Sequence, residues 1–402
     1  MTLVRRLFIV IAGLMSLPSA LLAFGTLFSN VPYVGTAGTF VFPMFAGPLA
    51  VVALVGGALG FVAARLGARR AGAVCAALGV GSAIVAAAVI VRHARVAAAN
   101  GAPINIVAAA VPRGLAGGAA PDATVTYTEA EGSPLQIDVF RPRRQDASRA
   151  PVVLYIHGGG WILGERTMRA ASLRWFADRG YLAFTADYTL ATPERPTWNT
   201  ASAQVACALA WTASHAAEYD GDPDRLFVFG DSAGGALALT ATYAAAAGVA
   251  ESSCGGTVPR VRAVAAEYPA VDPMTFYENS NPLFRGLARQ MVGGYLGGNP
   301  REHPERARFV SSATYVTPEA PPTLIFLVEN DHLVPIAGAL DFIERAERVG
   351  VNVETVRFPW ADHAVNLQYY NVANQAMLQI MLQHFCRHAG ACTAPISTKH
   401  VE

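Results

Sequence analysis

The sequence predicts an α/β protein with a mostly parallel sheet flanked by helices and preceded by about three transmembrane helices. Three observations support this prediction. From residue 123 onward, short apolar runs alternate with helical stretches, which is typical of βαβ units. Longer apolar runs occupy residues 1–91. Ser232 lies in a glycine-rich turn between a strand-like run and a helix.

The N-terminal 91 residues contain five arginines and no acidic residue. Their apolar runs, 7–28, 40–66 and 71–91, each reach the roughly 20 residues that span a hydrocarbon core. A soluble helix normally shows a polar face, and these runs show none, so we favour a membrane anchor over buried soluble helices. The first run alone also has the features of a cleavable signal peptide.

The arginines predict how this anchor is oriented. Arg5 and Arg6 lie at the N-terminus, Arg65, Arg69 and Arg70 lie around the connection from the second run to the third, and the loop 29–39 carries no charge. The positive-inside rule places both arginine-bearing ends in the cytoplasm, although Arg92 and Arg95 act weakly in the opposite direction. The sequence therefore predicts a multi-pass cell-membrane protein whose main domain is extracytoplasmic.

The cysteines give independent support for that location. Cys75 lies in the third apolar run, and the other four follow the anchor. An even number in an oxidising compartment suggests two disulfides, for which we expect Cys207–Cys254 and Cys386–Cys392. Other pairings, or four buried free thiols, are the alternatives.

The rest of the chain divides into a linker, a main domain and a tail. Residues 92–122 are rich in Ala, Gly and Pro and predict the linker. The main domain is 123–392, with a strand-free insertion at about 272–317, and the tail is 393–402. The predicted strands are 124–128, 135–140, 152–156, 182–186, 226–229, 263–267, 324–328 and 353–358. The predicted helices are 169–179, 200–218, 233–247, 335–349 and 364–388.

The turn around Ser232 reads G-D-S-A-G-G at residues 230–235. This G-x-S-x-G pattern is typical of a nucleophile elbow, in which small residues let strand and helix approach while the serine occupies a strained turn. The following helix N-terminus favours developing negative charge. We therefore expect Ser232 to be a nucleophile, with Gly230, Asp231 and Gly234 supporting the turn.

A second glycine-rich turn, H-G-G-G-W at residues 157–161, directly follows a predicted strand. Unobstructed backbone N–H groups in such a turn can stabilise the oxyanion of a tetrahedral intermediate. A flexible loop is the alternative, but a strand leading directly into three glycines favours the catalytic interpretation. We expect His157 and Gly158 to order this turn.

The other members of a triad should be a carboxylate and then a histidine at the same sheet edge. Asp331 and His363 each follow a predicted strand. We expect Ser232 to attack, His363 to transfer the proton and Asp331 to orient the imidazole. His332 and Asp362 are weaker candidates, because neighbours in a loop rarely point together and because chain order favours Asp331.

The sequence predicts chemistry without a metal or cofactor. It contains no H-E-x-x-H pattern, no close cysteine pair with a matching histidine pair, no P-loop and no G-x-G-x-x-G after a strand. The formal net charge of +1 gives no electrostatic case for binding nucleic acid.

The two glycine-rich motifs, followed by Asp331 and His363, resemble those of the hormone-sensitive-lipase-like branch of the α/β-hydrolases. That branch includes acetyl esterases, carboxylesterases and lipases, with related feruloyl-esterase-like and formamidase-like enzymes. The resemblance covers about residues 122–390 and not the anchor. It implies an α/β-hydrolase fold in which the 272–317 insertion and the segment before Thr124 help to form a cap.

The resemblance also implies roles for particular residues. The backbone N–H groups of Gly159, Gly160 and Ala233 would be the oxyanion donors. Trp161 and Tyr188 would line the acyl pocket.

The expected function is hydrolysis of carboxylic esters through an acyl-enzyme. The expected partners are a small-molecule or lipid ester and the membrane bilayer. An amidase, formamidase or peptidase would use the same triad and is the alternative. A third hypothesis is an inactive hydrolase fold that serves as a membrane-tethered interaction module, although such proteins usually lack a triad member.

Overall fold

The computed structural model describes residues 2–111, 118–143 and 149–390. Their contacts divide into two units. The helical unit combines the N-terminal helices with the segments Val328–His332 and Arg357–Gln379, and the sheet unit contains the other described residues from 118 onward. The predicted tail and Cys392 lie outside the described residues.

Five helices begin the chain: α1 Thr2–Leu27, α2 Val34–Val41, α3 Ala46–Arg65, α4 Arg69–Ala99 and α5 Ile106–Ala110. Of these, α1, α3 and α4 are long and apolar enough to cross a membrane, as the three apolar runs predicted. Large apolar side chains such as Leu14, Leu54 and Ile84 are more than half exposed on them. An apolar surface of this extent suits lipid far better than water.

Two of the three apolar runs differ at one end by several residues from the helices observed there. The second apolar run begins at residue 40, but α3 begins only at Ala46, after a turn that contains Pro43. Proline lacks the N–H that a continuing helix needs. The third run ends at residue 91, but α4 continues to Ala99, because its alanine-rich end favours helix. The predicted linker therefore begins as helix.

Close helix packing in the helical unit depends on glycine. A Cβ atom on Gly72 would lie 2.4 Å from the Gly60 carbonyl oxygen, and one on Gly60 would lie 2.8 Å from that of Gly72. Small residues allow membrane helices to approach to backbone contact, which compensates for the lack of a hydrophobic drive between them. Glycine at these two positions therefore lets α3 and α4 approach to backbone contact.

The two ends of this helical bundle differ in chemistry. At one end the Arg5 guanidinium lies 3.5 Å from the place of a Cβ on Gly67, so the charged N-terminus meets the α3–α4 turn. Towards the other end, Ala23, Phe42 and Val89 share a buried cluster against which Trp360 packs. Arg5 and the α3–α4 turn thus lie at one end of the bundle, while Arg92 of α4 stacks over Trp360 at the other.

The sheet has eight strands in the order β1-β2-β4-β3-β5-β6-β7-β8. The first two pairings are antiparallel, and those from β4 through β3, β5 and β6 to β7 are parallel. Each predicted strand is present. The strands are β1 Ala123–Ala130, β2 Ser133–Phe140, β3 Ala150–Ile156, β4 Leu182–Ala186, β5 Gly221–Asp231, β6 Ala263–Glu267, β7 Thr323–Val328 and β8 Val353–Phe358.

Eight further helices accompany the strands. They are α6 Ala170–Ala177, α7 Thr200–His215, α8 Ser232–Ala246, α9 Pro273–Tyr277, α10 Arg285–Leu296, α11 Pro304–Val310, α12 Ile336–Arg348 and α13 Val372–His388. The predicted insertion 272–317, all of which is described, holds α9 to α11 and no strand. Helix α13 starts later than the predicted residue 364, because Ala364 has a left-handed φ of 60° and a short 3₁₀ turn follows.

A disulfide joins Cys207 of α7 to Cys254, 47 residues further along the chain. Cys75 is free and buried in α4. Cys386 is also disulfide-bonded, while its predicted partner lies outside the described residues. Two of the predicted disulfide cysteines are thus joined to each other in the structure.

Candidate active site

Ser232 is the first residue of α8 and follows β5 without an intervening loop. Its φ is 51°, a left-handed conformation that is uncommon outside glycine and that clusters at functional sites. A Cβ on Gly230 would lie 2.4 Å from the Gly234 oxygen, and one on Gly234 would lie 2.2 Å from the Ile156 oxygen. The turn therefore requires glycine at both positions, and it presents Ser232 at a helix N-terminus.

Asp231 ties this elbow to the turn after β3. Its Oδ1 accepts hydrogen bonds from the Tyr155 hydroxyl at 2.5 Å and from the Gly158 backbone N–H at 3.1 Å. Burial and the neighbouring Asp231 charge raise the pKa of Tyr155 well above its usual value, so its hydroxyl remains a donor. Sequence analysis missed Tyr155, whose signal was a lone hydroxyl in an otherwise apolar central strand.

The glycine-rich turn after β3 has a run of left-handed residues. Gly159, Gly160 and Trp161 have φ values of 113°, 59° and 63°. His157 supports the turn: its Nδ1 lies 2.8 Å from the Gly158 oxygen, and its ring stacks on Tyr188 at 4.3 Å. Burial lowers the pKa of His157, so its imidazole is neutral near pH 7 and acts as an ordering group.

The two aromatic residues predicted to line a pocket are both buried. Trp161 stacks on Tyr295 of α10 at 4.4 Å and lies 6.1 Å from Phe276 of α9. Two helices of the insertion 272–317 therefore pack against the glycine-rich turn, and the role of this insertion as a cap stays a prediction. Tyr188 donates its hydroxyl to the His157 carbonyl at 3.0 Å. It supports the turn, and the pocket role of both aromatics stays a prediction.

A buried ion pair lies beside the elbow. Glu267 ends β6 directly opposite Asp231 in the parallel register, and Arg169 donates to its Oε2 at 2.9 Å. Burial opposes the charge on Arg169, but the facing carboxylate outweighs it and raises the pKa of the guanidinium. Arg169, the first residue of a predicted helix, was not singled out from the sequence.

In the helical unit, the structure brings the predicted acid and base together. His363 Nδ1 lies 2.8 Å from Asp331 Oδ2, and both side chains are almost fully buried. Backbone hydrogen bonds between the two loops, such as Asn330 N–H to the Ala361 oxygen at 2.9 Å, hold them side by side. This is the contact that the predicted triad requires between its acid and its base.

The two competitors for the triad form a second pair across the same loops. His332 Nδ1 lies 2.6 Å from Asp362 Oδ2. Burial opposes protonation of His332, but the hydrogen bond and charge of Asp362, with the charge of Asp331, outweigh it and raise its pKa. The Asp-His dipeptides at 331–332 and 362–363 are thus cross-paired.

Among the described residues, one group has the donors for a cation. Ligand atoms of Glu354, His384 and His388 lie within 4.8 Å of one another. The Glu354 carboxylate is already paired with the Arg387 guanidinium, whose positive charge opposes a cation at the same place.

The sheet topology, the elbow and the glycine-rich turn define an α/β-hydrolase of the carboxylesterase branch. The chain belongs to the BD-FAE family, whose family model matches residues 137–345, more than half of the chain. The match spans β2 to α12 and thus contains both glycine-rich turns.

Two curated relatives come from Mycobacterium tuberculosis. One is described as the probable carboxylic ester hydrolase LipM, 28% identical over 68% of this chain and 64% of the relative. The other is described as esterase LipQ, 28% identical over 58% of this chain and 54% of the relative. The chain therefore spans less than two thirds of the length of these relatives.

A solved structure of Thermogutta terrifontis esterase 2, phosphoramylated by tabun, is also similar. The TM-score is 0.55 at 23% identity, and the match covers 68% of this chain and 96% of that one. At this identity the likeness shows the fold. It extends over nearly all of the solved chain.

Proposed function

We propose that this protein is a membrane-anchored serine esterase or lipase that hydrolyses carboxylic esters. The observation that carries the proposal is Ser232 in a left-handed turn at the start of α8, linked by Asp231 to a glycine-rich turn. Membership of the BD-FAE family and the relatives described as LipM and LipQ support an ester as the substrate.

The proposed reaction has two halves. Ser232 Oγ attacks the ester carbonyl carbon while His363 Nε2 takes the hydroxyl proton and Asp331 stabilises the imidazolium. The negative charge on the carbonyl oxygen is met by backbone N–H groups, assigned to Gly159, Gly160 and Ala233. His363 then protonates the leaving alkoxide, which leaves an acyl group on Ser232. Water, activated by His363, releases the acid and restores the serine.

We assign the catalytic residues to the extracytoplasmic side. The support is the end-to-end asymmetry of the helical bundle, in which Arg5 meets Gly67 while Trp360, close to His363, packs at the other end. By the positive-inside rule the end that carries Arg5 and the α3–α4 turn faces the cytoplasm, although Arg92, stacked on Trp360 at the other end, acts weakly in the opposite direction. The Cys207–Cys254 disulfide supports an oxidising compartment for the sheet unit.

The test uses the full-length protein in detergent and matched p-nitrophenyl esters and p-nitroanilides, with acyl chains from acetyl to palmitoyl. We expect ester turnover by the wild type, loss of at least a thousandfold in Ser232→Ala, and no loss in Ser214→Ala, an exposed serine of α7. Preference for the anilides would indicate an amidase instead. Unchanged turnover in Ser232→Ala would refute the nucleophile.

A further inference from the structure

The Asp362 carboxylate is buried and joins the backbone of both loops that carry the acid and the base. Its Oδ1 accepts the N–H of His332 at 2.8 Å and the N–H of His363 at 2.7 Å. His332 directly follows Asp331. One carboxylate oxygen therefore holds the chain at the base itself and at the residue after the acid, which sets the distance between the two loops.

The second oxygen of Asp362 is held by the anchor. Thr39 of α2 donates its hydroxyl to Asp362 Oδ2 at 2.7 Å, and it lies 3.2 Å from His332 Nδ1. Thr39 is completely buried and lies between the first two candidate membrane spans. The His332 ring also makes a backbone hydrogen bond with Ser29, in the turn that precedes α2.

Helix α4 of the anchor holds the same loop at a second place. The Arg92 guanidinium stacks over the Trp360 ring at 3.8 Å, and His93 Nε2 lies 3.0 Å from the Pro359 carbonyl oxygen. Trp360 has a left-handed φ of 60°, so the loop before His363 is held in a conformation that needs such contacts. The loop that carries His363 is therefore held by contacts from two separate parts of the anchor, α2 and α4.

We propose that Thr39 is a positioning residue for the acid–base pair, acting from the membrane anchor through Asp362. This inference rests on the proposed function. The anchor would then help to position the acid and the base as well as tether the protein. The Thr39 hydroxyl and His332 Nδ1 both contact Asp362 Oδ2 in a buried place, where an unmade hydrogen bond is costly. Without the hydroxyl this oxygen loses one of these two contacts, and the loops that present Asp331 and His363 can shift.

The physical consequence concerns turnover rather than substrate binding. Small displacements of a general base from its reacting geometry reduce the rate strongly, by up to about a hundredfold for 1 Å. Thr39 has no role in recognising the ester in this proposal. Loss of its hydroxyl should therefore lower kcat and leave KM nearly unchanged. A general loss of folded protein would instead lower the concentration of active sites, so kcat is expressed per active site.

The test compares Thr39→Val with Thr39→Ser and with Thr26→Val in full-length protein in detergent. Valine preserves the shape of threonine and removes the hydroxyl, and serine restores the hydroxyl. Thr26 is the matched control, because it is buried near the end of α1 and its hydroxyl bonds, within the described part of the chain, only to the Leu22 and Gly38 carbonyl oxygens. The substrate is the soluble p-nitrophenyl acetate, so that delivery through lipid does not enter the rate.

We expect Thr39→Val to lower kcat about tenfold per active site, with KM within twofold of wild type. Active sites are counted by complete labelling of Ser232 with a fluorophosphonate. Thr39→Ser should recover most of the rate, and Thr26→Val should behave as wild type. As a second variant, Asp362→Asn should lose more than Thr39→Val, because it removes the carboxylate that joins the two loops.

The inference is overturned if Thr39→Val keeps kcat within twofold of wild type, or if Thr26→Val loses as much as Thr39→Val. It is also overturned if serine gives no recovery. Failure of the proposed function has a different signature: wild-type protein would lack esterase activity, or would keep it in Ser232→Ala. The two failures are therefore distinguishable in one set of measurements.

Discussion

Arg169 and Glu267 form an ion pair whose two side chains are only 2% and 0% exposed. Glu267 is the strand residue opposite Asp231, the residue that precedes the serine. Tyr155 lies close enough to both charges for them to act on its hydroxyl. The pair therefore places two buried charges next to the elbow. An apolar pair of similar size would fill the same space without charge.

Breaking this ion pair on one side should destabilise the protein severely. Arg169→Met leaves Glu267 buried without its cation, which costs about 3–5 kcal/mol. The double variant Arg169→Met with Glu267→Leu removes both charges and should recover most of that loss. Thermal unfolding in detergent measures both. A double variant that is no more stable than Arg169→Met would contradict this expectation.

The Cys207–Cys254 disulfide closes a loop of 47 residues and should stabilise the sheet unit by about 3–4 kcal/mol. Replacing both cysteines by alanine should lower the unfolding temperature while leaving esterase activity at 25 °C close to wild type, because neither cysteine belongs to the proposed site. Cys75→Ala, which removes the free thiol of α4, is the control and should leave the unfolding temperature close to that of wild type. An equal fall in both proteins would argue against a stabilising disulfide.

His384 should make stability depend on pH. Burial lowers its pKa to about 4 from an ordinary value of 6.5. Below about pH 6.5 this histidine binds a proton in the unfolded chain but not in the folded chain. The stability that is present above pH 6.5 is therefore lost as the pH falls from there through about 4. The loss in the free energy of unfolding approaches about 3 kcal/mol.

The measurement for His384 is the unfolding temperature between pH 7 and pH 4. His384→Gln should flatten the fall relative to wild type. His303→Gln, a change at a partly exposed histidine of the insertion, should preserve the wild-type slope. If the two variants show the same slope, His384 does not account for the acid sensitivity.

The proposed membrane orientation predicts which sites a membrane-impermeant maleimide reaches in intact cells. In a Cys75→Ala background, a cysteine at Val249, which is 58% exposed in the sheet unit, should be labelled. A cysteine at Ala68, in the α3–α4 turn, should be labelled only after the cells are opened. The reverse pattern would place the catalytic domain in the cytoplasm.

The strands and the elbow were predictable from the sequence for physical reasons. Strands β3 to β7 are covered on both faces, so they appear as uninterrupted apolar runs with distinct ends. The elbow needs glycine at 230 and 234 because backbone fills the space of any side chain there. Hydropathy marked the apolar parts of α3 and α4, but not their ends, because helix ends are set by Pro43 and by alanine-rich sequence beyond the apolar run.

The cross-paired loops were not predicted. Thr39 and Asp362 are 323 residues apart, and no local pattern connects a hydroxyl in an anchor to a carboxylate beside the base. A signal was nevertheless present, since two Asp-His dipeptides follow neighbouring strands. Equivalent dipeptides at adjacent strand ends can pair crosswise, and the structure joins Asp331 to His363 and Asp362 to His332. From the sequence alone, His332 and Asp362 were weaker candidates for the triad.

The most direct test of the central claim is covalent labelling of the nucleophile. Full-length protein in detergent is treated with a fluorophosphonate, digested and mapped by mass spectrometry. We expect one label per chain, on the peptide that contains Ser232, and none in Ser232→Ala. Labelling of a different residue, or an unlabelled wild type that still hydrolyses esters, would contradict Ser232 as the nucleophile.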